Sequence, residues 1–408
     1  MPPNPVGAGR RDVRHLTRSE TSPPSPPRPL LARTPEALYV HLPFCARRCP
    51  YCDFPTAHLD AGREARYLDA LAREARDRLP PGWRARTVFF GGGTPLELTT
   101  PGIERLVEIF SGRIARGAEV TAEANPRTLL ARKLRALRDG LGLCRLSLGA
   151  QSFRPRLLAA LGRFHRPEDV RKAVAVARAE GVRSLNLDLI FAIPGQRPSE
   201  LEEDLDALLS LRPDHVSAYC LTVEEGTAYG RSAAAGRLRL PSDGVQARYF
   251  ARVRCRLRAA GFQHYEISNF ARPGHRCRHN QRTWRNHPYY GLGNGAASHV
   301  AGVRMRNHPE LDAYVEAVET GGGEAAVAER EELPFARKVR ETAYLALRTS
   351  EGLVRARFLR ELGVDPERFF ARELARLRAQ GLLVDKPGRV HLSGRGVRFA
   401  DAVAVELL

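Results

Sequence analysis

The sequence predicts an α/β fold: an open six-strand (β/α)6 partial TIM barrel followed by a small C-terminal winged-helix-like module. Three observations support this fold class. Short apolar runs alternate with amphipathic helical stretches over about 200 residues, which is the pattern of parallel strands with helical crossovers. Cysteines follow the first apolar run, and glycines follow the second. The pattern changes after about residue 338. A doubly wound sheet fits the same alternation.

Six apolar runs are the predicted strands, and the segments between them carry helical periodicity. The first helix is indicated by Tyr67, Leu68, Leu71, Ala75 and Leu79, which share one helical face. The predicted strands cover 38–42, 87–90, 120–124, 145–148, 185–190 and 216–221. Further helices are predicted over 102–111, 128–138, 168–179 and 199–210. Ligands gather at the carboxyl ends of such strands, so the cysteines and the glycines are expected to share one site.

Four regions are expected along the chain. Residues 1–34 are rich in Pro and Arg and predict a disordered tail, and 35–243 form the barrel. Residues 244–337 extend it, with a helix over 244–260 and irregular structure over 261–300. Residues 338–408 form the winged-helix-like module, because three helical stretches (338–348, 355–361 and 367–380) precede two short strands at 382–384 and 390–392.

The composition bears on whether the protein binds nucleic acid or a membrane. The net charge is +19, yet lysine occurs only at positions 133, 172, 338 and 386, so arginine is used throughout the chain. Basic residues spread in this way differ from the one-sided patch typical of nucleic-acid binding, and no nucleic-acid partner is expected. No run approaches the roughly 20 apolar residues of a membrane span, and the opening residues lack the apolar core of a secretory signal. A cytoplasmic location is therefore expected.

Three of the seven cysteines form a tight group, Cys45, Cys49 and Cys52. In a cytoplasmic chain such a group indicates metal binding rather than disulfides. Thiolates hold iron–sulfur clusters, and three of them leave one of four irons without a protein ligand. The alternative is a zinc site completed by His41 or His58, although a second Cys-x-x-Cys pair is missing.

A glycine-rich loop, residues 91–95, follows the second strand. Glycines let the backbone approach a ligand closely, and their amides and carbonyls can hold charged groups. A simple turn at the strand end is the alternative.

The spacing Cys-x-x-x-Cys-x-x-Cys, with Tyr51 before the last cysteine, resembles the signature of radical S-adenosylmethionine (SAM) enzymes. The resemblance implies an open βα barrel and a [4Fe–4S] cluster on Cys45, Cys49 and Cys52. It also implies that the amine and carboxylate of S-adenosylmethionine chelate the free iron, with residues 91–95 at the methionyl amine. The cofactor carries the chemistry, and the protein positions it.

From residue 37 onward the chain resembles the coproporphyrinogen-oxidase-like branch of that family. The matching segments are 39–45, 123–126, 145–153, 161–163 and 186–190. By matching position, the resemblance implies cofactor contacts at Tyr39, Tyr51, Gly93, Thr94, Glu123, Gln151, Arg163, Asp188 and Ala218. An arginine can clamp a carboxylate with two hydrogen bonds, and Gln151 offers both a donor and an acceptor.

Two groups share this framework: oxygen-independent coproporphyrinogen III oxidases and HemW-like heme chaperones. The oxidases carry a further cysteine two residues past the third, where this chain has Phe54. Residues 279–284 resemble the chaperones' His-Asn-x-x-Tyr-Trp motif, with Thr283 in place of tyrosine. We therefore expect a heme chaperone and no oxidase activity.

The resemblance implies heme bound near His279 and Trp284 and passed to acceptor hemoproteins. An electron donor or an iron-storage protein is a further expected partner. Neutral imidazole ligates heme iron, and indole can pack on a porphyrin face. Cys277 is a second candidate ligand. Alternatively, His279 only pins its segment by hydrogen bonds.

Overall fold

A computed structural model describes residues 33–408; the predicted tail lies outside the described residues except for its last two positions. The six predicted strands are present and pair in chain order as parallel neighbours. They are β1 Ala37–Leu42, β2 Ala85–Gly92, β3 Ile114–Ala124, β4 Arg145–Gln151, β5 Ser184–Phe191 and β6 His215–Cys220. Because parallel strands share a direction, all six carboxyl ends lie at one rim.

Helices follow the strands as expected. The first bears out the periodicity of its sequence: Tyr67, Leu68 and Leu71 are buried, and Asp60 caps its first turn by accepting from two backbone amides. The helices of this region are α1 Ala61–Arg78, α2 Thr100–Phe110, α3 Ala131–Leu141, α4 Pro155–Ala160, α5 Pro167–Ala179, α6 Pro198–Ser210, α7 Ala228–Ala234 and α8 Asp243–Ala259.

The prediction of irregular structure over 261–300 is wrong, because this segment and the residues after it extend the sheet at both edges. On one side β9 pairs with β1 in parallel, and three antiparallel strands follow it; on the other side an antiparallel pair continues from β6. Among residues 33–408, twelve strands form this sheet. The added elements are β7 Gln263–His264, β8 Asn269–Ala271, α9 Arg278–Trp284, β9 Tyr289–Leu292, β10 Ala297–Val300, β11 Val303–Asn307, α10 Leu311–Gly321 and β12 Val327–Glu332.

The C-terminal residues form a second hydrophobic core, separate from that of the large sheet. Its helices and hairpin match the predicted pattern, and a short strand at the start of α12 joins the hairpin. A final helix, which the sequence pattern did not indicate, completes the core. The elements are α11 Phe335–Leu347, β13 Leu353–Val354, α12 Arg355–Leu362, α13 Pro366–Phe369, α14 Ala371–Ala379, β14 Leu383–Lys386, β15 Arg389–Leu392 and α15 Ala400–Leu407.

Within the described range, no helix is both long and apolar enough to span a bilayer. Seven free cysteines are present there, and no disulfide links them.

Candidate functional site

The three grouped cysteines lie on a loop that leaves β1 and is tied back to it. The Cys45 amide donates to the Ala57 carbonyl at 3.0 Å, and the Ala57 amide donates to the Pro43 carbonyl at 3.0 Å. The Cys52 amide donates to the Cys49 carbonyl at 3.1 Å and closes a tight turn. The loop is therefore anchored at both ends, with the thiols between.

His41, considered above as a zinc ligand, holds this loop by hydrogen bonds instead. Its Nε2 lies 2.8 Å from the Pro55 carbonyl, and its Nδ1 lies 3.0 Å from the Tyr39 hydroxyl. Since a carbonyl can only accept, Nε2 carries the proton and Nδ1 accepts from the tyrosine. Burial lowers the pKa of His41 to about 4, so the ring is neutral at pH 7. Neither ring nitrogen is free for a metal ion.

Two of the three thiols are held in their protonated form. Burial raises the pKa of Cys45 to about 11 and that of Cys52 to about 12. The Cys45 sulfur lies 3.6 Å from the Thr94 hydroxyl on the neighbouring loop. Across residues 33–408, no three His, Cys, Asp or Glu side chains are already arranged as a metal cage. Thiolates are the form that binds metals, so metal binding by Cys45 and Cys52 would release protons.

The glycine-rich loop packs against the start of the cysteine loop. The Gly93 amide donates to the Leu42 carbonyl and the Thr94 amide to the Phe44 carbonyl, both at 2.8 Å. A Cβ atom on Gly93 would come within 2.6 Å of the Pro43 backbone. The close approach of two backbones requires glycine here, so the loop is more than a simple turn at a strand end.

Arg163 and Gln151 lie on the same rim as Cys49. Arg163 donates to the Cys49 sulfur at 3.5 Å and to the Gly149 carbonyl at 3.1 Å. Gly149 leaves space between them, since a Cβ atom there would lie 2.9 Å from Gln151 Nε2 and 3.3 Å from Arg163 Nη2. Arg163 Nε and Gln151 Oε1 are buried, and neither has a hydrogen-bond partner among the described residues. Unpaired buried polar atoms are costly, so these two atoms indicate a ligand that is polar.

Two carboxylates face the barrel interior from β3 and β5. Glu123 accepts from the Gly92 amide at 3.2 Å, and burial together with the charge of Asp188 raises its pKa to about 7. Asp188 accepts from Asn186 at 2.7 Å and from Ser147 at 3.4 Å, and burial raises its pKa as well. Both are suited to accept hydrogen bonds from an amine or from hydroxyl groups.

The other residues expected at the cofactor surround this rim. Tyr51 packs beside Tyr229, with ring centroids 6.4 Å apart, and the Tyr229 amide donates to the Pro50 carbonyl. Ala218 is buried next to the Asp188 strand, and its amide donates to the Ser268 carbonyl at 2.8 Å. Tyr39 is also buried and points its hydroxyl at His41.

His279 and Trp284 lie apart from this group. His279 is buried on α9, with Nδ1 3.2 Å from the Thr87 hydroxyl and its ring 5.4 Å from that of Phe89. Thr87 is near the amino end of β2, about 13 Å along the strand from Gly91 at about 3.3 Å per residue. The structure therefore places His279 at the opposite end of the barrel from the cysteine loop.

Trp284 closes α9 and lies under the C-terminal module. The Arg348 guanidinium sits 5.0 Å from its ring, and its buried Nε1 lacks a partner among the described residues. Burial lowers the pKa of His279 to about 3, so its imidazole is neutral.

Two carboxylates, Asp204 and Glu119, position neighbouring segments and were not indicated by the sequence. Asp204 is buried on α6 and accepts from the Ser152 hydroxyl at 2.8 Å and from the Phe153 amide at 2.6 Å. These contacts fix the backbone next to Gln151, which has a φ of 63°. Glu119 of β3 accepts from the Arg278 and His279 amides at 3.0 and 2.9 Å and so caps α9. Such pairs are far apart in sequence, and no local pattern signals them.

Two sequence models of protein families match this chain. The radical SAM superfamily matches residues 39–208, which contain the cysteine loop, the glycine-rich loop and β1–β5. The HemN C-terminal domain matches residues 336–399, which cover most of the second core.

Curated relatives match over most of the chain. A heme chaperone HemW of Mycobacterium tuberculosis is 39% identical over 92% of this chain and 95% of its own. That of Bacillus subtilis is 32% identical over 90% and 98%. That of Synechocystis is 37% identical over 78% and 79%.

Among solved structures, the coproporphyrinogen III oxidase HemN from Escherichia coli, a radical SAM enzyme, superposes with a TM-score of 0.80. The match covers 93% of this chain and 92% of that one. At 24% identity this match establishes the shared fold.

Proposed function

The chain belongs to the HemW family within the radical SAM superfamily, and from that premise we propose that it binds heme and passes it to acceptor hemoproteins. The observation that carries the proposal is the identity of 31–39% to relatives named heme chaperone HemW, over most of the chain. Phe54 also favours it, since this residue stands where the oxidases have a further cysteine.

The cofactor part of the proposal assigns a [4Fe–4S] cluster to Cys45, Cys49 and Cys52. It assigns S-adenosylmethionine to the rim formed by Tyr39, Tyr51, Gly93, Thr94, Glu123, Gln151, Arg163, Asp188 and Ala218. The chemistry of the donors fits: three thiols leave one iron open, and the unpaired Arg163 Nε and Gln151 Oε1 offer a donor and an acceptor beside Cys49. When bound, the cluster supplies electrons. The chain's own residues orient the cofactor.

The cluster assignment is tested by a triple Cys45→Ala, Cys49→Ala, Cys52→Ala variant, reconstituted anaerobically with iron and sulfide. We expect loss of the broad visible absorption and of bound iron, because no other described cysteines form such a group. The matched control replaces Cys144, Cys220 and Cys255, which should keep the full cluster. Four irons per chain in the first variant would contradict the assignment.

The heme part of the proposal concerns His279 and Trp284 in the region 244–337, between the barrel (35–243) and the C-terminal module (338–408). His279 is neutral and has the nitrogen that heme iron binds. Because it is buried against Thr87 and Phe89, iron ligation requires α9 to move away from β2. The proposal includes a cytoplasmic location, where free thiols persist, and an electron donor or iron-storage protein as a further partner.

The test of heme binding is a titration of the purified chain with hemin, followed at the Soret band. We expect a saturable complex whose band weakens or shifts in His279→Ala, with the cluster unchanged. His58→Ala, which removes an exposed histidine, is the control. Transfer is then measured by mixing the loaded protein with an apo-hemoprotein. An unaltered complex in His279→Ala would assign this residue a pinning role only.

The oxidase alternative is decided by turnover under strict anaerobiosis with a reductant, S-adenosylmethionine and coproporphyrinogen III. We expect no decarboxylation. Stoichiometric formation of protoporphyrinogen IX would show that the protein is an oxidase, and would contradict the proposed chaperone function.

A further inference from the structure

A chain of buried side-chain hydrogen bonds runs through the barrel from Asp188 to helix α9. Asn186 Nδ2 donates to Asp188 at 2.7 Å, and Asn186 Oδ1 lies 2.6 Å from His215 Nδ1. His215 Nε2 lies 2.7 Å from the Tyr265 hydroxyl, which accepts from the Cys277 amide at 3.3 Å. Cys277 is the N-cap of α9. The chain thus joins the rim of the barrel to the segment that carries His279.

The polarity of this chain is fixed at every link. The Asp188 carboxylate accepts from Asn186 Nδ2, so Asn186 Oδ1 faces His215 Nδ1 and can only accept from it. His215 Nε2 then lacks a proton and accepts from the Tyr265 hydroxyl, which itself accepts from the Cys277 amide. All four bonds therefore point the same way, and the charge of the Asp188 carboxylate strengthens them cooperatively.

Burial distinguishes the Asp188 end of this hydrogen-bond chain from the rest of it. Asn186, His215, Tyr265 and Cys277 are at most 3% exposed, whereas Asp188 is partly open. His215 stays neutral, because burial and the nearby Arg145 and His275 lower its pKa well below the usual value. A ligand can therefore contact the hydrogen-bond chain at Asp188. The polarised hydrogen bonds then transmit the change at Asp188 to α9.

We propose that His215 and Tyr265 are positioning residues that couple occupancy of the cofactor site at Asp188 to the placement of helix α9. A ligand hydroxyl that donates to Asp188 competes with the amide of Asn186 and weakens every later link. The N-cap of α9 then loosens, and His279 leaves Thr87 more readily. This inference rests on the proposed function: it makes S-adenosylmethionine a regulator of heme affinity.

The variants that test the coupling are His215→Phe and Tyr265→Phe. The first cuts the hydrogen-bond chain at its centre, but it removes the acceptor of the buried Tyr265 hydroxyl proton and one donor to Asn186 Oδ1, and can unfold the protein. The second removes one oxygen and keeps the ring. The matched control is Tyr249→Phe, which removes an equally buried hydroxyl that donates to the Gln196 carbonyl outside this chain.

The first readout needs no heme. Hydrogen–deuterium exchange of residues 277–284 is measured on the cluster-loaded protein with and without saturating S-adenosylmethionine. We expect the cofactor to speed exchange in the wild type and in Tyr249→Phe, and to leave it unchanged in Tyr265→Phe. The proposal is overturned if the cofactor does not change the exchange rate in the wild type, or if it changes the rate in Tyr265→Phe as much as in the wild type.

The second readout is the hemin Kd with and without the cofactor. We expect a change of about fivefold in the wild type, the lower end of usual coupling, and none in Tyr265→Phe. A wild type that binds no hemin refutes the proposed function. The exchange experiment still decides the coupling in that case.

Discussion

At the residue scale, the most informative atoms are Arg163 Nε and Gln151 Oε1, which are buried beside Cys49 and have no partner among the described residues. The rest of the Arg163 guanidinium already bonds the Cys49 sulfur and the Gly149 carbonyl. Its position is therefore set before any ligand arrives, which lowers the entropic cost of binding. The pair marks the side of the proposed cluster site where a carboxylate and an amine are expected.

The change Arg163→Gln tests that assignment. Losing one partner of a buried charged hydrogen bond costs about 2–5 kcal/mol, so S-adenosylmethionine should bind at least about 30-fold more weakly. Calorimetric titration of the cluster-loaded variant measures this. Arg127→Gln is the control, since Arg127 is exposed and stacks on Phe164 nearby. Equal affinity of both variants would remove Arg163 from the cofactor site.

Gln151 combines an unpaired side chain with a φ of 63°, which a residue other than glycine adopts at a cost of about 1–2 kcal/mol. Replacing it with Ala or with Gly removes the amide in both cases, but only Gly relieves the backbone. We expect both variants to lose cofactor affinity equally. In chemical denaturation the Gly variant should be the more stable by about 1 kcal/mol. A Gly variant with normal affinity would show that the amide holds no ligand.

At the element scale, one buried carboxylate joins four elements that are distant in sequence. Glu74 of α1 accepts from the Gly293 amide after β9, from Asn307 of β11 and from the Tyr314 hydroxyl of α10, at 2.7–2.8 Å. Arg78 pairs with it and also donates to Asn307. Because β9 borders β1, this network fixes the edge of the barrel beside the cysteine loop.

Glu74→Ala should therefore destabilise the protein strongly. Removing one partner of a buried ion pair leaves the Arg78 charge uncompensated and costs about 3–5 kcal/mol. The free energy of unfolding from denaturant titration is the measurement. Glu319→Ala, which breaks an exposed pair with Arg66, is the control and should change little. Similar losses in the two variants would mean that the network adds no stability.

This scale also shows what the sequence could not predict. The strands β1–β6 were found because each is a buried apolar run next to a helical period. Strand β9 reads Tyr-Tyr-Gly-Leu and β10 reads Ala-Ser-His-Val, and neither has the length or alternation of a strand. Strand β9 is held by pairing with β1 and by Glu74 at the residue after it, contacts more than 200 residues away, and β10 in turn pairs with β9.

The residues of the candidate site also fall into those that a local sequence pattern predicts and those that it does not. Cys45, Cys49, Cys52 and the glycine-rich loop could be predicted because their spacing is local. The contacts of Asp204 and Glu119 could not, since each carboxylate accepts from backbone amides of a segment distant in sequence. His279 lies on helix α9 rather than in irregular structure, and its burial at the far end of β2 follows only from the three-dimensional fold.

At the scale of the whole molecule, the C-terminal module docks on the barrel beside α9. Glu266 pairs with Thr349 through a backbone bridge, and the Ile267 amide donates to the Arg348 carbonyl at 3.1 Å. Glu266 is 3% exposed, and its Oε1 has no partner among the described residues. Burial raises the pKa of Glu266 to about 7, against the opposing charge of Arg348.

This carboxyl makes stability depend on pH. An unfolded glutamate loses its proton near pH 4.3, whereas the folded one keeps it until about pH 7. Between these values the folded state binds more protons, so stability falls as the pH rises, by an upper limit of about 4 kcal/mol. Glu266→Gln stays neutral. Its melting temperature relative to the wild type should therefore rise from pH 5 to pH 8, and parallel curves at all pH values would contradict this.

The pairing of β9 with β1 also has a consequence for folding during synthesis on the ribosome. The ribosome releases Cys45–Cys52 early, but the strand that covers the outer edge of β1 lies roughly 250 residues later. At a translation rate of about 5–20 residues per second, the outer edge of β1 stays unpaired for about 12–50 seconds until β9 is synthesised. An uncovered strand edge invites pairing with other chains, next to three unprotected thiols. Newly made chains thus pass through a period in which the edge of β1 and the three thiols are accessible to chaperones and to other chains, before β9 covers the strand.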